Sequence, residues 1–510
     1  MKNLFDQPNI LNHPILDMLL TKIVSVDFEK CVNTKREGLI SDCEKLKSRL
    51  SNPDISPEDI ATVHEQISKN EKLIKQLSVT KVTLNHYYVV GIDFIVEIAK
   101  ANQRDICVYQ NDIYLFNGMY WESQNIDRFK KFLSLASLKL GIESFIAKDY
   151  KFIKDLFNQF ISSIYFVQQS PNSNKILVNL KNGTLEITNN GTKLREFDKS
   201  DFLTYQLDYD FDETAEAPIF NSFLNQVLPE SDKRRVLSEF IGSVFIKNGG
   251  KSFSVEKTLL LYGTGSNGKS VFFKIIHALL GINNTTNYSL ESLTDKNGSY
   301  RAEIAGKLLN YSSEISNKMD IAIFKQLVSG EPVMARKLYC NPFMLYEYAK
   351  LIFNCNQLPK DVEHNKAFFR RFIIIHFGIT IEDKDQDKEL HIKIIDHELS
   401  GVFNWVLKGL RSFIENKGFY DSPNVKLMLE QFEIESDTVR QFLDDNNYQK
   451  SLKETILIKA LYDEYKSFCF ELGSRSLSKT NFINRLKNAG YVIKRENSGI
   501  KVNLHKSNSI

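Results

Sequence analysis

The chain has 510 residues, of which 42% are hydrophobic and 25% charged, and its 66 lysines and arginines nearly balance 63 aspartates and glutamates. This composition excludes a mainly disordered chain and is typical of a globular protein with three or four domains. The apolar runs, such as 258–262 and 372–375, are far shorter than the roughly 18 residues that a membrane span needs. The six cysteines form no CxxC pair, which argues against a zinc ribbon or a disulfide framework. We therefore expect a soluble, cytoplasmic protein.

Positive charge is concentrated towards the C-terminal end. Residues 451–510 hold 11 lysines and arginines against 5 acids, a net charge of +6, and the remainder holds 55 against 58, a net charge of −3. A basic segment on a nearly neutral body indicates contact with a polyanion, and a solvated tail is the alternative.

The first part of the chain, residues 1–105, is predicted to be helical. Within it, residues 35–78 have leucines and β-branched residues at loosely helical spacing, and Asn52-Pro53 divides them into two helices. This αα-hairpin pattern favours an oligomerisation or spacer role.

Residues 106–250 are predicted to form an α+β domain. The Asn117-Gly118 and Asn182-Gly183 pairs each lie between short apolar runs and predict two β-hairpins, because Asn-Gly suits a primed turn. The segments between and after these hairpins have helical periodicity.

Short apolar strands alternate with helices over residues 251–380, which predicts an α/β sheet. Residues 381–445 are predicted to be helical. Residues 446–510 predict two helices followed by two strands around a polar turn, which is the outline of a winged helix.

The sharpest motif is GxxxxGK[ST], which follows the apolar strand 258–262 and opens a predicted helix over 271–280. Glycines let backbone N–H groups turn towards phosphates, and the helix N-terminus adds partial positive charge. The lysine can reach the β- and γ-phosphates, and the serine hydroxyl can ligate Mg²⁺. The predicted nucleotide-binding residues are Gly263, Thr264, Gly265, Ser266, Asn267, Gly268, Lys269 and Ser270.

Polar side chains follow or precede the neighbouring predicted strands. Glu314 ends one strand and could polarise the attacking water, although a surface carboxylate is the alternative. Asn356 ends another and could orient the γ-phosphate, although it could equally cap a loop. Arg370 and Arg371 stand directly before a buried strand, which fits phosphate contact or a structural salt bridge.

The order of these features along the chain resembles that of superfamily 3 helicases. The features are the motif ending at Ser270, the strand ending at Glu314, the segment 325–339, the strand ending at Asn356 and the paired arginines. The chain is similar in particular to the phage/plasmid primase-helicase family and to the C-terminal half of the poxvirus-type primase-helicase. The resemblance covers about residues 106–420. It implies a multidomain α/β protein with an AAA+-like P-loop ATPase core, preceded by an α+β pre-motor domain and followed by a helical lid and a winged helix.

The resemblance also implies roles for single residues. Lys269 falls at the Walker A lysine, Ser270 at a Mg²⁺ ligand, Glu314 at the Walker B glutamate that also serves the metal, and Asn356 at the sensor position. Either Arg370 or Arg371 falls at an arginine finger that acts on the neighbouring subunit, so a ring, usually a hexamer, is implied.

DNA contacts are implied in two places. The segment 330–339 resembles the approach to the hairpin that grips single-stranded DNA in the central channel, and the winged helix could contact duplex DNA or a partner protein. The expected DNA-binding residues are Arg336, Lys337, Tyr339, Lys487, Lys494 and Arg495.

Two features depart from the family pattern. Ser313 occupies the position before Glu314 where many related ATPases have an acidic Mg²⁺ partner. Residues 1–105 resemble no primase, because they contain neither a zinc-binding cysteine set nor a cluster of strand-borne acids.

The sequence therefore predicts a ring-forming, ATP- and Mg²⁺-dependent DNA helicase of a phage or mobile element, without its own primase and without membrane association. Its expected partners are further copies of itself, single-stranded and forked DNA, and a separate primase or replication protein. Two alternatives stay open: an ATP-switched origin-binding initiator or loader, and a small-molecule P-loop kinase or other ATPase indifferent to DNA.

Overall fold

The computed structural model describes residues 11–51, 56–109, 112–164, 175–248, 254–313, 319–338, 340–359, 366–473, 476–497 and 499–507. The protein is mixed α/β and forms two compact units. The first comprises Met1–Ser170 with Phe197–Tyr205, and the second comprises Pro171–Glu196 with Gln206–Ile510. Residues 106–250, expected from the sequence as one domain, contribute to both units, and the five-part division of the chain stays a prediction. None of the described helices has both the length and the apolar character needed to cross a bilayer.

The first unit combines helices with a small antiparallel sheet. The helices and strands are α1 (Pro14–Lys22), α2 (Phe28–Val32), α3 (Thr34–Leu50), α4 (Pro57–Gln76), α5 (Leu84–Ala101), β1 (Asp105–Tyr109), β2 (Asp112–Phe116), β3 (Trp121–Ser123), α6 (Ile126–Lys139), α7 (Ser144–Ala147) and α8 (Tyr150–Ser163). Strands β1, β2 and β3 pair in that order.

The predicted hairpin around Asn117-Gly118 is confirmed. Strand β2 pairs antiparallel with β3, and the Asn117 side-chain oxygen accepts hydrogen bonds of 2.9 Å from the backbone N–H groups of Met119 and Tyr120. Gly118 has φ +99°, a conformation that favours glycine. Trp121, at the start of β3, is buried against Phe116.

Helices α3 and α4 occupy the region predicted as an αα-hairpin. The Asn52-Pro53 break lies outside the described residues. Strand β1 was not predicted, because only residues 102–104 separate it from α5.

The second unit begins with an antiparallel sheet and two helices. Its first elements are β4 (Ile176–Leu180), β5 (Gly183–Thr188), β6 (Gly191–Arg195), α9 (Pro218–Val227) and α10 (Ser231–Ser243). The pairing of β4 with β5 confirms the hairpin predicted at Asn182-Gly183.

A parallel sheet forms the centre of the second unit. This region contains β7 (Thr258–Tyr262), α11 (Lys269–Leu280), β8 (Thr285–Thr286), α12 (Leu290–Leu293), α13 (Ser299–Glu303), β9 (Leu309–Ser312), α14 (Ile321–Ser329), β10 (Val333–Ala335), β11 (Phe343–Leu345), β12 (Lys350–Cys355), α15 (Lys366–Phe369) and β13 (Phe372–His376). The strand order is β13-β7-β12-β9-β8, with every neighbouring pair parallel.

The central strands of this sheet are buried, as is usual for a parallel sheet. Leu259, Leu260 and Leu261 of β7 are fully buried, as are Ile374 and Ile375 of β13. Since all five strands are parallel, their carboxyl ends lie along one edge, which is where ligands bind in open α/β sheets.

Four further helices follow the sheet: α16 (Leu390–His397), α17 (Leu399–Asn416), α18 (Pro423–Glu435) and α19 (Thr438–Asp445). Helix α17 packs closely on α10, and glycines make this approach possible. A Cβ atom on Gly409 would lie 2.3 Å from the carbonyl carbon of Ser238, and one on Gly242 would lie 2.7 Å from the Leu410 nitrogen.

The C-terminal part consists of β14 (Tyr448–Lys450), β15 (Ile456–Leu457), α20 (Ile458–Glu471), α21 (Lys479–Asn488), β16 (Ile493–Glu496), β17 (Gly499–Val502) and β18 (Leu504–Lys506). It has a core of its own, in which Phe482 and Leu486 of α21 pack with Tyr465 of α20 and Val502 of β17. The predicted succession of two helices and a two-stranded hairpin is confirmed. The short strands β14, β15 and β18 were not predicted.

Candidate functional site

The candidate site centres on residues 263–268, the glycine-rich loop that joins β7 to α11. The Gly263 N–H donates a 3.1 Å hydrogen bond to the carbonyl oxygen of Cys355 at the end of β12. Gly263 has no room for a side chain, because a Cβ atom would lie 2.3 Å from Asn267 Nδ2 and 2.4 Å from the Phe377 carbonyl oxygen. The loop therefore begins packed against two neighbouring strand ends.

Gly268 ends the loop and is the N-cap of α11. Its φ of +85° favours glycine. A Cβ atom here would lie 2.8 Å from Val227 Cγ1 and 2.9 Å from Phe223 Cε2. The glycine thus lets the loop pack directly on helix α9.

Two buried side chains hold the loop in shape. Lys269 and Asn267 are 6% and 3% exposed. The Lys269 ammonium donates to the Gly263 carbonyl oxygen at 2.6 Å and to Asn267 Oδ1 at 3.0 Å. Asn267 Nδ2 in turn donates to the Phe377 carbonyl oxygen at 3.0 Å. Burial lowers the pKa of Lys269, since desolvation penalises its charged form.

The loop opens on a cavity of about 910 Å³ at the carboxyl edge of the sheet. Ser313 after β9, Asn354 within β12 and Asn356 after β12 line it beside the loop. Asn354 is buried and accepts a 3.0 Å hydrogen bond from the Tyr311 hydroxyl, whereas Asn356 is exposed. The structure thus brings Asn356 to the same cavity as the predicted phosphate-binding residues Gly265, Ser266, Asn267, Gly268, Lys269 and Ser270.

Gly263 and Thr264 do not line the cavity, although Thr264 is exposed. Glu314 lies outside the described residues. Within the described part of the chain, no group of three or more His, Cys, Asp or Glu side chains could hold a metal ion. Two metal ligands were predicted, Ser270 and Glu314. Of these the structure describes Ser270, which lines the cavity.

Another part of the cavity wall was not predicted from the sequence. It is formed by the exposed side of α9, with Ser222 and Gln226 one helical turn apart, and by residues 381–391. The Ile381 N–H donates a 2.7 Å hydrogen bond to the Ser266 carbonyl oxygen, which attaches this segment to the loop. The helical periodicity of α9 identified its buried side but gave no signal for what its other side faces.

A buried carboxylate fixes the beginning of α9. Glu398 is 6% exposed, and its two oxygens accept 2.9 Å hydrogen bonds from the N–H groups of Ile219 and Phe220. The side chain of α9's own preceding residue, Ala217, cannot cap the helix. Glu398 thus caps a helix 178 residues earlier in the chain.

The two predicted arginines differ sharply in their surroundings. Arg371 is 7% exposed. Its guanidinium donates to Ser329 Oγ at 3.0 Å and to the Ala367 carbonyl oxygen. Arg370 is exposed. Neither side chain lines the cavity.

The predicted DNA-contacting segment 330–339 contains β10, which pairs antiparallel with β11. Arg336 and Lys337 are exposed at its turn, and Tyr339 lies outside the described residues. The base of this hairpin is anchored by the buried Arg301, which donates to the Met334 carbonyl oxygen at 2.8 Å and to that of Leu293 at 2.9 Å. Lys487, Lys494 and Arg495 are exposed on α21 and β16 and do not line the cavity.

Two protein families match parts of the chain. Residues 97–229 match the family described as "D5 N terminal like". Residues 261–371, which include the glycine-rich loop and the paired arginines, match the "Family of unknown function (DUF5906)".

Solved structures of the NrS-1 C terminal region are similar to this chain at 12% sequence identity. The A form apo structure of residues 305–718 of NrS-1 gives a TM-score of 0.45, covering 80% of this chain and 98% of that one. A second A form apo structure of the same region gives 0.44, covering 81% and 98%.

The cap of α9 gives a testable prediction. Glu398→Ala removes both acceptors and leaves two helical N–H groups without partners, at a cost of about 1–3 kcal/mol. Amide hydrogen exchange over residues 217–227 should therefore accelerate about tenfold or more. Glu389→Ala is the matched control, because Glu389 is exposed and its side chain caps no helix. Equal exchange in both variants would show that the cap does not hold α9.

Proposed function

We propose that this chain is an ATP-dependent, ring-forming DNA helicase that serves replication of a phage or mobile genetic element and relies on a primase made elsewhere. The observation that carries the proposal is the glycine-rich loop with buried Lys269, placed between β7 and α11 and opening on a cavity at the carboxyl edge of a parallel sheet. The motif resemblance to superfamily 3 primase-helicases and the D5 N-terminal-like region support it.

The geometry fits ATP in this cavity. The loop glycines and the N-terminus of α11 would receive the phosphates, because their N–H groups and the helix dipole favour negative charge. The Lys269 ammonium would exchange its bonds to Gly263 and Asn267 for phosphate oxygens. Ser270 would hold Mg²⁺ together with those phosphates and water, since Mg²⁺ commonly keeps several waters and takes oxygen ligands.

The cavity has room for the rest of the nucleotide. The side of α9 that carries Ile219, Ser222 and Gln226 would face the base and sugar from one side, and residues 381–391 from the other. Its apolar and amide groups are those that bind a flat, hydrogen-bonding ring. Asn356 would orient the γ-phosphate or the attacking water, and Glu314 would act as the base.

The exposed arginine supports a ring. Arg371 already donates to Ser329 and Ala367 inside its own subunit, so we assign it a structural role in placing α15. Arg370 is exposed and outside the cavity of its own chain. We assign it as the finger that reaches the ATP of a neighbouring copy, where a guanidinium stabilises the charge of phosphoryl transfer.

Hydrolysis would then move DNA through the ring. The β10–β11 hairpin carries Arg336 and Lys337 at its exposed turn, and Tyr339 follows them. Cations at such a turn bind the phosphates of a single strand, and an aromatic ring stacks on a base or sugar. Arg301 ties this hairpin to the end of α12 and to Asp295, so the DNA contact would be held on a fixed support.

The alternative is an ATP-switched initiator or loader that binds duplex DNA without unwinding it. The cationic surface of α21 and β16, which carries Lys487, Lys494 and Arg495, favours this reading. Both functions use the same nucleotide site. They differ in whether ATP hydrolysis is coupled to the separation of DNA strands.

ATP hydrolysis tests the nucleotide site. We expect the chain to hydrolyse ATP faster when single-stranded DNA is added, and Lys269→Ala to lower the rate about 100-fold or more, because phosphate charge loses its buried counter-ion. Lys408→Ala is the matched control, since Lys408 is exposed on α17 away from the cavity. Hydrolysis that survives Lys269→Ala would contradict the site. Hydrolysis indifferent to DNA would contradict the helicase and favour a small-molecule ATPase.

Subunit mixing tests the role of Arg370. We expect Arg370→Ala to melt like the parent but to hydrolyse ATP about 1,000-fold more slowly, because an arginine finger contributes on that order. Mixing Arg370→Ala with Lys269→Ala should restore part of the activity, since some interfaces then combine an intact lysine with an intact arginine.

The control for this experiment is Arg440→Ala, an exposed arginine on α19, which should hydrolyse ATP at the parent rate. No recovery on mixing, although both variants assemble, would rule out a site shared between subunits. Parent-like hydrolysis by Arg370→Ala would remove Arg370 from the mechanism.

A further inference from the structure

Asn354 is a buried amide for which the proposed reaction has no role. It lies within β12 and is 8% exposed. Its exposed part lines the cavity beside the glycine-rich loop. Its side-chain oxygen, Oδ1, accepts a 3.0 Å hydrogen bond from the Tyr311 hydroxyl of β9. One half of the amide is therefore engaged inside the protein, and the other half, the Nδ2 group, remains for a second contact.

The parallel sheet brings Tyr311 and Asn354 together. Tyr311 stands opposite Ile352 in the register of β9 and β12. Asn354 is two residues further along β12, so the alternation of side chains places it on the same side of the sheet as Tyr311. Helix α11 packs on that side, because its Phe273 ring meets the Tyr311 ring edge-on with centroids 4.7 Å apart. Asn354 therefore faces the helix that begins with Lys269.

The Tyr311 hydroxyl fixes which way the Asn354 amide points. Tyr311 is fully buried, and burial raises the pKa of its hydroxyl. The hydroxyl therefore stays protonated and needs an acceptor, which Asn354 Oδ1 supplies. With the amide turned round, the hydroxyl hydrogen would be buried without an acceptor, which is unfavourable.

The Nδ2 group of Asn354 is consequently turned away from Tyr311. Among the residues that the structure describes, Nδ2 has no hydrogen-bond partner. It is also absent from the enclosed polar atoms of the described chain that lack a partner, so it is accessible from the cavity. Asn354 thus presents a neutral donor of fixed direction to whatever the cavity binds.

This donor lies where the phosphates of a nucleotide would end. Asn354 stands opposite Leu261 of β7, two residues before the glycine-rich loop begins at Gly263. The base and sugar are assigned to α9 and residues 381–391, which leaves the ends of β12 and β9 for the far end of the polyphosphate. Phosphate oxygens are charged acceptors and form the stronger class of hydrogen bond with an N–H donor.

We propose that Asn354, oriented by Tyr311, donates a hydrogen bond from Nδ2 to an oxygen of the terminal phosphate of ATP. This contact rests on the proposed ATP site and adds to it a preference for the triphosphate over the diphosphate. Asn354 is buried, whereas Asn356 is exposed, so the two asparagines make separate contacts. Tyr311 does not touch the nucleotide and is a positioning residue that acts through Asn354.

Nucleotide binding measured by calorimetry tests the contact without hydrolysis. The ligands are ADP and an ATP analogue whose β–γ bridge is an imido group. Asn354→Ala should weaken binding of the analogue about tenfold, because a hydrogen bond to a charged acceptor is lost, and should leave the affinity for ADP unchanged. Asn158→Ala, an exposed asparagine on α8 in the first unit, is the control and should change neither affinity.

Asn354→Asp gives a signature that loss of stability cannot produce. The variant keeps an acceptor for Tyr311 but replaces the donor with a negative charge facing the phosphate. At pH 8 it should bind the analogue about 100-fold more weakly than the parent, because like charges in contact cost several kcal/mol. Burial and the phosphate both raise the pKa of the new carboxyl group. Lowering the pH therefore protonates it and restores a donor, so the ratio of variant to parent affinity should rise towards one as the pH falls.

Tyr311→Phe tests the positioning role. It frees the amide to rotate, so it should weaken binding of the analogue a few-fold, about the cost of ordering one side chain. In the Asn354→Ala background the same change should have no further effect on affinity, because Tyr311 then has no amide to orient. Equal weakening in both backgrounds would overturn the positioning role.

Lys269→Ala separates this contact from the ATP site on which it rests. If Lys269→Ala and Asn354→Ala both leave the affinity for the analogue unchanged, the proposed ATP site and the contact are both wrong. If Lys269→Ala weakens binding and Asn354→Ala does not, the contact alone is overturned. Equal weakening of ADP and the analogue by Asn354→Ala, or an affinity ratio for Asn354→Asp that does not change with pH, would also overturn it.

Discussion

The buried hydrogen bonds of Asn267 and Lys269 fix the glycine-rich loop around which the rest of the candidate site is built. Lys269 bonds to Gly263 and Asn267 within the loop, and Asn267 bonds to Phe377, which directly follows β13. The N–H of Gly263, at the start of the loop, bonds to Cys355 at the end of β12. A lysine is costly to bury without hydrogen-bond partners. The Lys269 ammonium can therefore stay buried only because two oxygens accept hydrogen bonds from it. An arriving polyphosphate would replace those oxygens with stronger, charged acceptors. Under the proposed function, these surroundings prepare the loop to bind an anion.

The rest of the site follows from what is packed around that loop. Gly268 admits α9, whose first turn is capped by Glu398 from the start of α17. One wall of the cavity is therefore held by a contact between residues far apart in the chain. The two adjacent arginines show the same dependence on packing, since the guanidinium of Arg371 makes hydrogen bonds within its own subunit and Arg370 is exposed. This difference in burial is the observation on which we assign Arg371 a structural role and propose Arg370 as the finger.

Much of the local structure could be predicted because it rests on short-range chemistry. The Asn117-Gly118 and Asn182-Gly183 turns, the strand and helix around the glycine-rich loop, and the final helices and hairpin all carry their signals within a few residues. The wall formed by α9 and residues 381–391 could not be predicted, since it depends on contacts across more than 100 residues. The choice between Arg370 and Arg371 also needed the fold, because identical neighbours in sequence give no sign of which is buried. The roles of Lys269, Glu314, Asn356 and Tyr339 stay predictions.

The central claim is that ATP binding at Lys269 is coupled to the separation of DNA strands, and unwinding of a forked duplex tests it most directly. We expect the chain and its Lys408→Ala variant to separate the strands only with ATP and Mg²⁺, and Lys269→Ala to separate none. Strand separation without ATP, or undiminished in Lys269→Ala, would contradict a helicase driven by ATP at Lys269. Assembled chains that hydrolyse ATP on DNA but leave the fork intact would contradict it as well, and would identify an initiator or loader in place of a helicase.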